Sequence, residues 1–505
     1  MLLLLAAPPK FYDDDPLLTV PPPRDAGTPN ARRLSDLYDL FSNELAHPGQ
    51  RQPEKEQPVR GRGVNTLGEP NDSAWFVPRH YWKRLTADEL RRGPGDSRPP
   101  ADGPWTVIRS KSEGVTPGFM IRDSQQRRYF VKFDPISNPE MATGAEMVGS
   151  RLLHAVGYHV PENYLVRFTE DRLVLGEKVE FYDVRGKPRT MTRRDLLEIL
   201  LKVPRDRQGR YRAVASLHIP GTVMGPFRWY GTRTDDPNDL VPHEHRRDLR
   251  ALHVFSAWID HDDSRAINNL DSLVDQGGVH SFRHFIQDLG SSLGSGSERP
   301  NSPRSGGEYL FGWKESAVQF FTLGLAVPYW AKAHYPKIPS VGLFESEIFD
   351  PERWVPEYPN SAWLNRLPDD EFWAAKQVMA FSDDDLRALV SSGEYTDERA
   401  RDWLVKCLIA RRDKIGRAYF AKVLPLDRFE YRDGKLTWDD LSGGVGPVKQ
   451  EWAEYDNAQG TRKPLTDSWK YAVVTLSPES KPARKIDVYL RRTDRVSVVG
   501  IDRFW

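Results

Sequence analysis

The chain has 505 residues, 39% hydrophobic, 29% charged and 11% aromatic with 15 Trp, which suits roughly two to four compact units and excludes global disorder. Lys plus Arg (72) equals Asp plus Glu (72). No overall field therefore pulls the molecule onto nucleic acid or an anionic membrane, and any charged contact is local. The single cysteine, Cys407, excludes an intrachain disulfide framework and multi-cysteine zinc or iron–sulfur sites.

In chain order, Leu2 to Ala7 is a short apolar run without a basic flank, followed by Pro8, Pro9 and Asp13 to Asp15. It reads as the remnant of a secretion signal or as the plain start of a cytoplasmic protein. The compartment, cytoplasmic or exported to a bacterial cell envelope, stays open. Residues 1–104 are rich in Pro and Arg and read as an extended arm with one amphipathic helix, Ala31 to Leu45. Three short strands follow around Trp105, Phe119 and Tyr129, separated by turn residues, and imply an antiparallel meander. A helix is expected over Ala142 to Gly157 and a strand over Asn163 to Phe168. Residues 181–215 are locally basic, which reads as a solvated helix and hairpin ahead of an anion-binding face. Further helices are expected over Arg247 to Trp258, Phe311 to Ala333, Pro368 to Leu389 and Thr396 to Val423. After Pro425, alternating runs at Tyr471 to Leu476, Ile486 to Leu490 and Val496 to Ile501 predict a small β-rich region. No run approaches the roughly 20 apolar residues that span a bilayer.

Four features in fixed order carry chemistry. Lys132 lies mid-strand in Tyr129-Phe-Val-Lys-Phe133, on the opposite face from Val131 and Phe133. An ammonium there can hold phosphate oxygens. Glu146, on the following helix, is placed to pair with it. Asp263 and Asn268 lie five residues apart in Trp258-Ile-Asp-His-Asp-Asp-Ser-Arg-Ala-Ile-Asn268, and Asp288 ends a short apolar strand before Leu289-Gly290, where a turn exposes it to a divalent cation. The turn Ser112 to Gly118 contributes Gly114 and Gly118 as candidate nucleotide-binding backbone.

This order resembles the protein-kinase-like superfamily, in its atypical branches of HipA-like, phosphoinositide and CotH-type kinases. The residues that carry the resemblance are Lys132, Glu146, the Asp-x4-Asn of Asp263 to Asn268, and Asp288-Leu-Gly290. The resemblance implies an α+β, two-lobed fold. A β-rich N-lobe would span 105–221 and a mainly helical C-lobe 222–424, with the arm (1–104) and the β-rich C-terminal region (425–505) outside it. It implies ATP and Mg²⁺ as cofactors, with Lys132 on the phosphates, Asn268 and Asp288 on the metal, and Asp263 as base. The acceptor is a hydroxyl on an unknown protein, lipid or small molecule, with no nucleic-acid partner and no integral membrane segment expected. The sequence departs from the family at the loop of Ser112 to Gly118, which lacks a full Gly-x-Gly-x-x-Gly. No His-Arg precedes Asp263, so Asp260 and Asp262 are rival bases.

Two alternatives use the same residues: a silent nucleotide-binding or scaffold protein, and nucleotidyl transfer. A third places a transition metal on His243, His245, His253, His261 and Asp262. Residues 291–307 read as a flexible activation-type loop whose serines are open to self-modification. Cys407 reads as a buried structural thiol.

Overall fold

A computed structural model of the chain describes residues 8–16, 20–33, 41, 58–96, 98–110, 117–182, 187–310, 312–323 and 325–505. The fold is mixed α/β. The start at Leu2 to Ala7, most of the expected helix at Ala31 to Leu45, and Gly114 lie outside the described residues.

A six-stranded sheet is built from β1 (Trp105–Ser110), β2 (Gly118–Arg122), β3 (Arg128–Phe133), β4 (Asn163–Phe168) and β5 (Leu173–Leu175), with β8 (Tyr211–Leu217) after a two-stranded ribbon of β6 (Glu180–Tyr182) and β7 (Pro188–Thr190). The order is β4-β8-β3-β2-β1-β5. Alternation decides its faces. Tyr129, Val131 and Phe133 of β3 join Trp105, Phe119 and Phe168 in one core with Leu196 and Leu200 of the helix Arg193–Leu200, so Lys132 faces the other way. That helix is capped by Thr192, whose hydroxyl accepts the Asp195 N–H while Asp195 accepts from Thr192. Its basic flank is consumed by ion pairs, Arg189 with Asp195 and Arg193 with Glu170.

On the open face of the sheet lies the helix Met141–Val156, almost entirely buried. Asp134 caps it from outside, accepting the Thr143 N–H at 2.8 Å and the Thr143 hydroxyl at 2.7 Å. Glycine lets it pack closely: a methyl group at Gly144 would lie 2.4 Å from the Tyr395 ring.

The main core is helical. It gathers Trp258, Trp363, Trp373 and Leu408 from the helices Arg247–Ile259, Ser361–Leu364, Pro368–Met379 and Glu398–Phe420. Residues 58–104 feed this core with Trp75, Phe76 and Leu90, the last from a helix, Ala87–Arg92, that the composition of the segment hid. Two expected helices are shorter than the periodicity implied. Pro368 to Leu389 divides into Pro368–Met379 and Asp383–Ser391, because Ser382 and Asp385 form a new capping box. Phe311 to Ala333 reduces to the helix Trp313–Phe321 and one 3₁₀ turn, Tyr329–Lys332, after Pro328. Among the described residues no helix is long and apolar enough to cross a membrane.

A second sheet, β9 (Thr222–Gly225), β10 (Asn269–Gln276) and β11 (Val279–Ile286), lies next to the site, in the order β11-β10-β9. The β10–β11 hairpin turns on Gly277 and Gly278, both at positive φ (68° and 90°), the backbone that a two-residue hairpin loop demands. The C-terminal strands are β12 (Leu426–Arg432) paired with β13 (Lys435–Asp440), then β14 (Val448–Asp456), β15 (Thr461–Lys463), β16 (Tyr471–Pro478), β17 (Ile486–Arg492) and β18 (Val496–Arg503), the last five in the order β15-β14-β16-β17-β18. Phe11, from the start of the chain, stacks on Tyr471 (6.0 Å) and leans on Tyr489 and Tyr455 of this sheet, with Gly500 leaving room for its ring.

Candidate active site

Lys132 joins two carboxylates. Its ammonium lies 2.8 Å from Asp288 Oδ1 and 3.2 Å from Glu146 Oε2. Burial alone would lower its pKa, but Asp288 first and Glu146 second outweigh burial and raise it above the ordinary lysine value. Glu146 is fixed in turn: Oε2 accepts the Gly290 N–H at 2.9 Å, and Oε1 accepts from Asn163 Nδ2 at 3.1 Å. One carboxylate on the helix thus ties β3 and β4 to the Asp288-Leu-Gly290 turn. Gly118 lies directly opposite Lys132 across the β2–β3 ladder. Opposed residues share a face, so the missing side chain leaves the lysine's flank open.

Asp288 follows β11 and adopts the left-handed region at φ 60°, an uncommon backbone for a residue other than glycine that concentrates at functional sites. The turn is held against the 260–268 loop through Gln287, whose N–H donates to the Asn268 carbonyl at 3.0 Å.

The loop divides its acids by environment. Asp263 receives a two-pronged contact from Arg265, Nε to Oδ1 and Nη2 to Oδ2, both 2.6 Å. Asn268 Nδ2 donates to the Asp263 carbonyl at 3.3 Å. Asp260 caps its helix in the left-handed region and accepts from Trp354 Nε1 at 2.9 Å. Asp262 accepts from Asn301 Nδ2 at 3.1 Å and from the Ser305 hydroxyl. All three acids of this loop are therefore engaged, Asp263 by Arg265 and its rivals Asp260 and Asp262 by Trp354, Asn301 and Ser305. Arg265 is the partner that sequence reasoning passed over, although its local signal, an arginine two residues after the acid, was present.

Burial, reinforced by Asp260 and Asp263, pushes the Asp262 carboxyl up to about 8. The folded chain then holds a proton that an unfolded aspartate releases above a pH of about 3.9. This group's stabilisation is full below that value and is lost as pH rises towards 8. Asp262→Asn is expected to remove the decline, so the difference in melting temperature between wild type and variant changes between mildly acidic and mildly alkaline pH. Parallel pH curves for the two proteins would contradict the assignment.

Lys132, Glu146, Asp288 and Gly290 line one cleft with Ser297 and Thr143, and its free volume of about 10 Å³ is room for about one water. Asp263 and Asn268 do not line it. They sit one peptide step away, through the contact between Gln287 and Asn268. A cavity of about 1230 Å³ lies where Glu69, Lys376 and Asp427 meet. Its floor is an ion network whose charges satisfy one another, so its size does not mark it as the chemical centre.

Residues 291–307 are not the flexible loop their composition suggests. Ser292, Ser295 and Ser297 are buried, and Gly294 accepts N–H bonds from Asn301 (2.8 Å) and Leu343 (2.9 Å). The histidines form no metal centre. His243 Nε2 meets Asp239 Oδ2 at 2.8 Å, His245 faces Arg250, His253 faces the Trp354 carbonyl and His261 the Ser291 carbonyl. Among the described residues, no group of three or more His, Cys, Asp or Glu side chains is arranged to hold a metal by itself. Cys407 is buried, and burial raises its thiol.

No family model and no curated protein matches the chain. Among solved structures, it is similar to the crystal structure of a Helicobacter pylori proinflammatory kinase, CtkA, at 10% identity and TM-score 0.31, over 61% of this chain and 93% of that one. It is also similar to the Golgi casein kinase with Mn/ADP bound, at 10% identity and TM-score 0.29, over 66% and 73% of the two chains. A second structure of the Golgi casein kinase gives 9% identity and TM-score 0.30, over 82% and 96%. At these TM-scores the likeness carries no argument, and the residues themselves carry the functional reading.

Proposed function

We propose that the chain is an atypical kinase with a two-lobed, protein-kinase-like layout, transferring the γ-phosphate of ATP to a hydroxyl. The observation that carries this reading is Lys132 held between Glu146 and Asp288, on a strand, a helix and a turn far apart in sequence. A pair of carboxylates that merely neutralised a lysine would not need one of them, Asp288, half-exposed on a left-handed turn.

In this reading Lys132 exchanges Asp288 for phosphate oxygens while Glu146, anchored by Gly290 and Asn163, keeps the ammonium in place. Asp288 and Asn268 are oxygen donors of the kind Mg²⁺ takes, which binds through one or two protein groups and completes its shell with phosphate and water. When bound, the ion neutralises charge on the phosphates. Asp263 accepts the proton of the attacking hydroxyl. Arg265 occupies two of its roughly four lone-pair positions and orients the rest. The acceptor oxygen forms a bond to the γ-phosphorus, the bond from that phosphorus to the β–γ bridging oxygen breaks, and ADP leaves.

ATP labelled separately at the γ and α positions tests the reaction. Label from γ alone is expected on an acceptor, or on the chain itself, with wild type, and none with Asp288→Ala. Label from the α position assigns nucleotidyl transfer. Binding of ATP with no label from either position across protein, lipid and small-molecule acceptors assigns a silent nucleotide-binding protein.

A further inference from the structure

Away from the cleft, large apolar side chains stand in water within one short stretch. Phe320 is 75% exposed, Phe321 81%, Leu323 88%, Leu325 83% and Val327 67%. Single exposed apolar residues are ordinary, whereas a contiguous cluster marks an interaction surface. The helix ends at Phe321, so Leu323, Leu325 and Val327 are not presented on a helical face of the kind laid in a protein groove. They crown the last turn of the helix Trp313–Phe321 and the bend after it.

Two side chains of the bend bond back to its backbone. The Thr322 hydroxyl donates to the Val318 carbonyl at 2.7 Å, and Gln319 Nε2 donates to the Ala326 carbonyl at 2.8 Å. A segment closed in this way can enter an apolar medium without stranding those groups. Charge narrows the choice of medium. Residues 316–344 contain no Asp or Glu, while Lys332, His334 and Lys337 follow the apolar tip. Tyr329 and Trp330 sit between tip and lysines on the 3₁₀ turn. The acids that reach this base are engaged: Glu308 accepts from Trp330 Nε1 at 2.7 Å, and Glu347 lies 3.5 Å from His334. Along the chain an apolar tip is followed by an aromatic pair and then by lysines, the order in which a bilayer interface passes from acyl chains to anionic headgroups.

We propose that residues 318–323 and 325–337 form a surface that docks the protein on an anionic lipid surface. The contact is peripheral, since no described helix spans a membrane, and it does not depend on the transfer chemistry. The full chain, mixed with phosphatidylcholine/phosphatidylglycerol vesicles, is expected to sediment with them, and to do so less with phosphatidylcholine alone. A triple variant, Phe320→Ser, Phe321→Ser and Leu323→Ser, is expected to bind about 1000-fold more weakly, since three inserted side chains are lost. Its melting temperature should match wild type, because those side chains are exposed. Lys332→Glu with Lys337→Glu is expected to abolish the preference for phosphatidylglycerol. Wild type remaining in the supernatant with both vesicles, or equal sedimentation of the triple variant, overturns the proposal. Concentration-dependent dimerisation that the triple variant abolishes, without vesicle binding, overturns it in favour of a second copy of the chain.

Discussion

Lys132→Met is expected to reduce phosphoryl transfer by about 10²–10³-fold, the usual loss when one charge-stabilising donor is removed from an active site. Methionine keeps most of the stem's length and apolar contacts, so the change isolates the ammonium. Glu146 retains its donors from Gly290 and Asn163, and Asp288 is 41% exposed and stays hydrated. The stability cost is therefore small, about 1–2 kcal/mol once solvent screening is counted. Lys132→Arg is not expected to restore transfer, because a planar fork does not replace a compact ammonium held between two carboxylates. Single-turnover transfer with γ-labelled ATP, beside a melting curve, checks both variants. Wild-type transfer by the methionine variant would remove Lys132 from the mechanism. On the proposed reading, arriving nucleotide would compete with Asp288 for the lysine.

Asp427→Ala is expected to destabilise the fold by about 3–5 kcal/mol, the cost of stranding buried charges, out of a typical total of about 5–15 kcal/mol. Asp427 accepts from Lys376 Nζ at 2.7 Å, from the Tyr81 hydroxyl at 2.7 Å and from Arg503 Nη2 at 3.0 Å. Its loss leaves Glu69 as the remaining acid on Lys376. Burial would raise the Asp427 carboxyl, but Lys376 and Arg503 outweigh it and hold it below the ordinary carboxylate range. Its stabilisation is present above the unfolded carboxylate value and is lost as pH falls through the lower folded one. The network joins the segment at Glu69 and Tyr81, the helix Pro368–Met379, β12 and β18. Urea unfolding should show the loss, and limited proteolysis should release the C-terminal strands first. A loss below about 1 kcal/mol would mean that the charges find water instead.

The parts of the site that a reader of the sequence could find are those written in short-range pattern. Alternation in Tyr129 to Phe133 set the face of Lys132, and the strand Asn163–Phe168 and the helix Met141–Val156 end where residue types said they would. The anchors of Glu146 were hidden, because Gly290 and Asn163 reach it across 144 and 17 residues. Composition misled at two places. Gly and Ser made residues 291–307 look loose, yet at Gly294 (φ 73°) the backbone turns against Leu343, where a side chain would not fit. Pro and Arg made residues 58–104 look like an arm, although Trp75 and Phe76 were there to signal a core. The ion network at Asp427 left no local trace, since its members come from four distant segments.

Phe11 and the sheet that receives it belong to opposite ends of the order of synthesis. Tyr471, Tyr489 and Gly500 leave the ribosome hundreds of residues after that ring. Folding that proceeds from the N-terminus as the chain emerges therefore carries an unburied phenylalanine until β16, β17 and β18 are made. Its insertion therefore follows the synthesis of those strands.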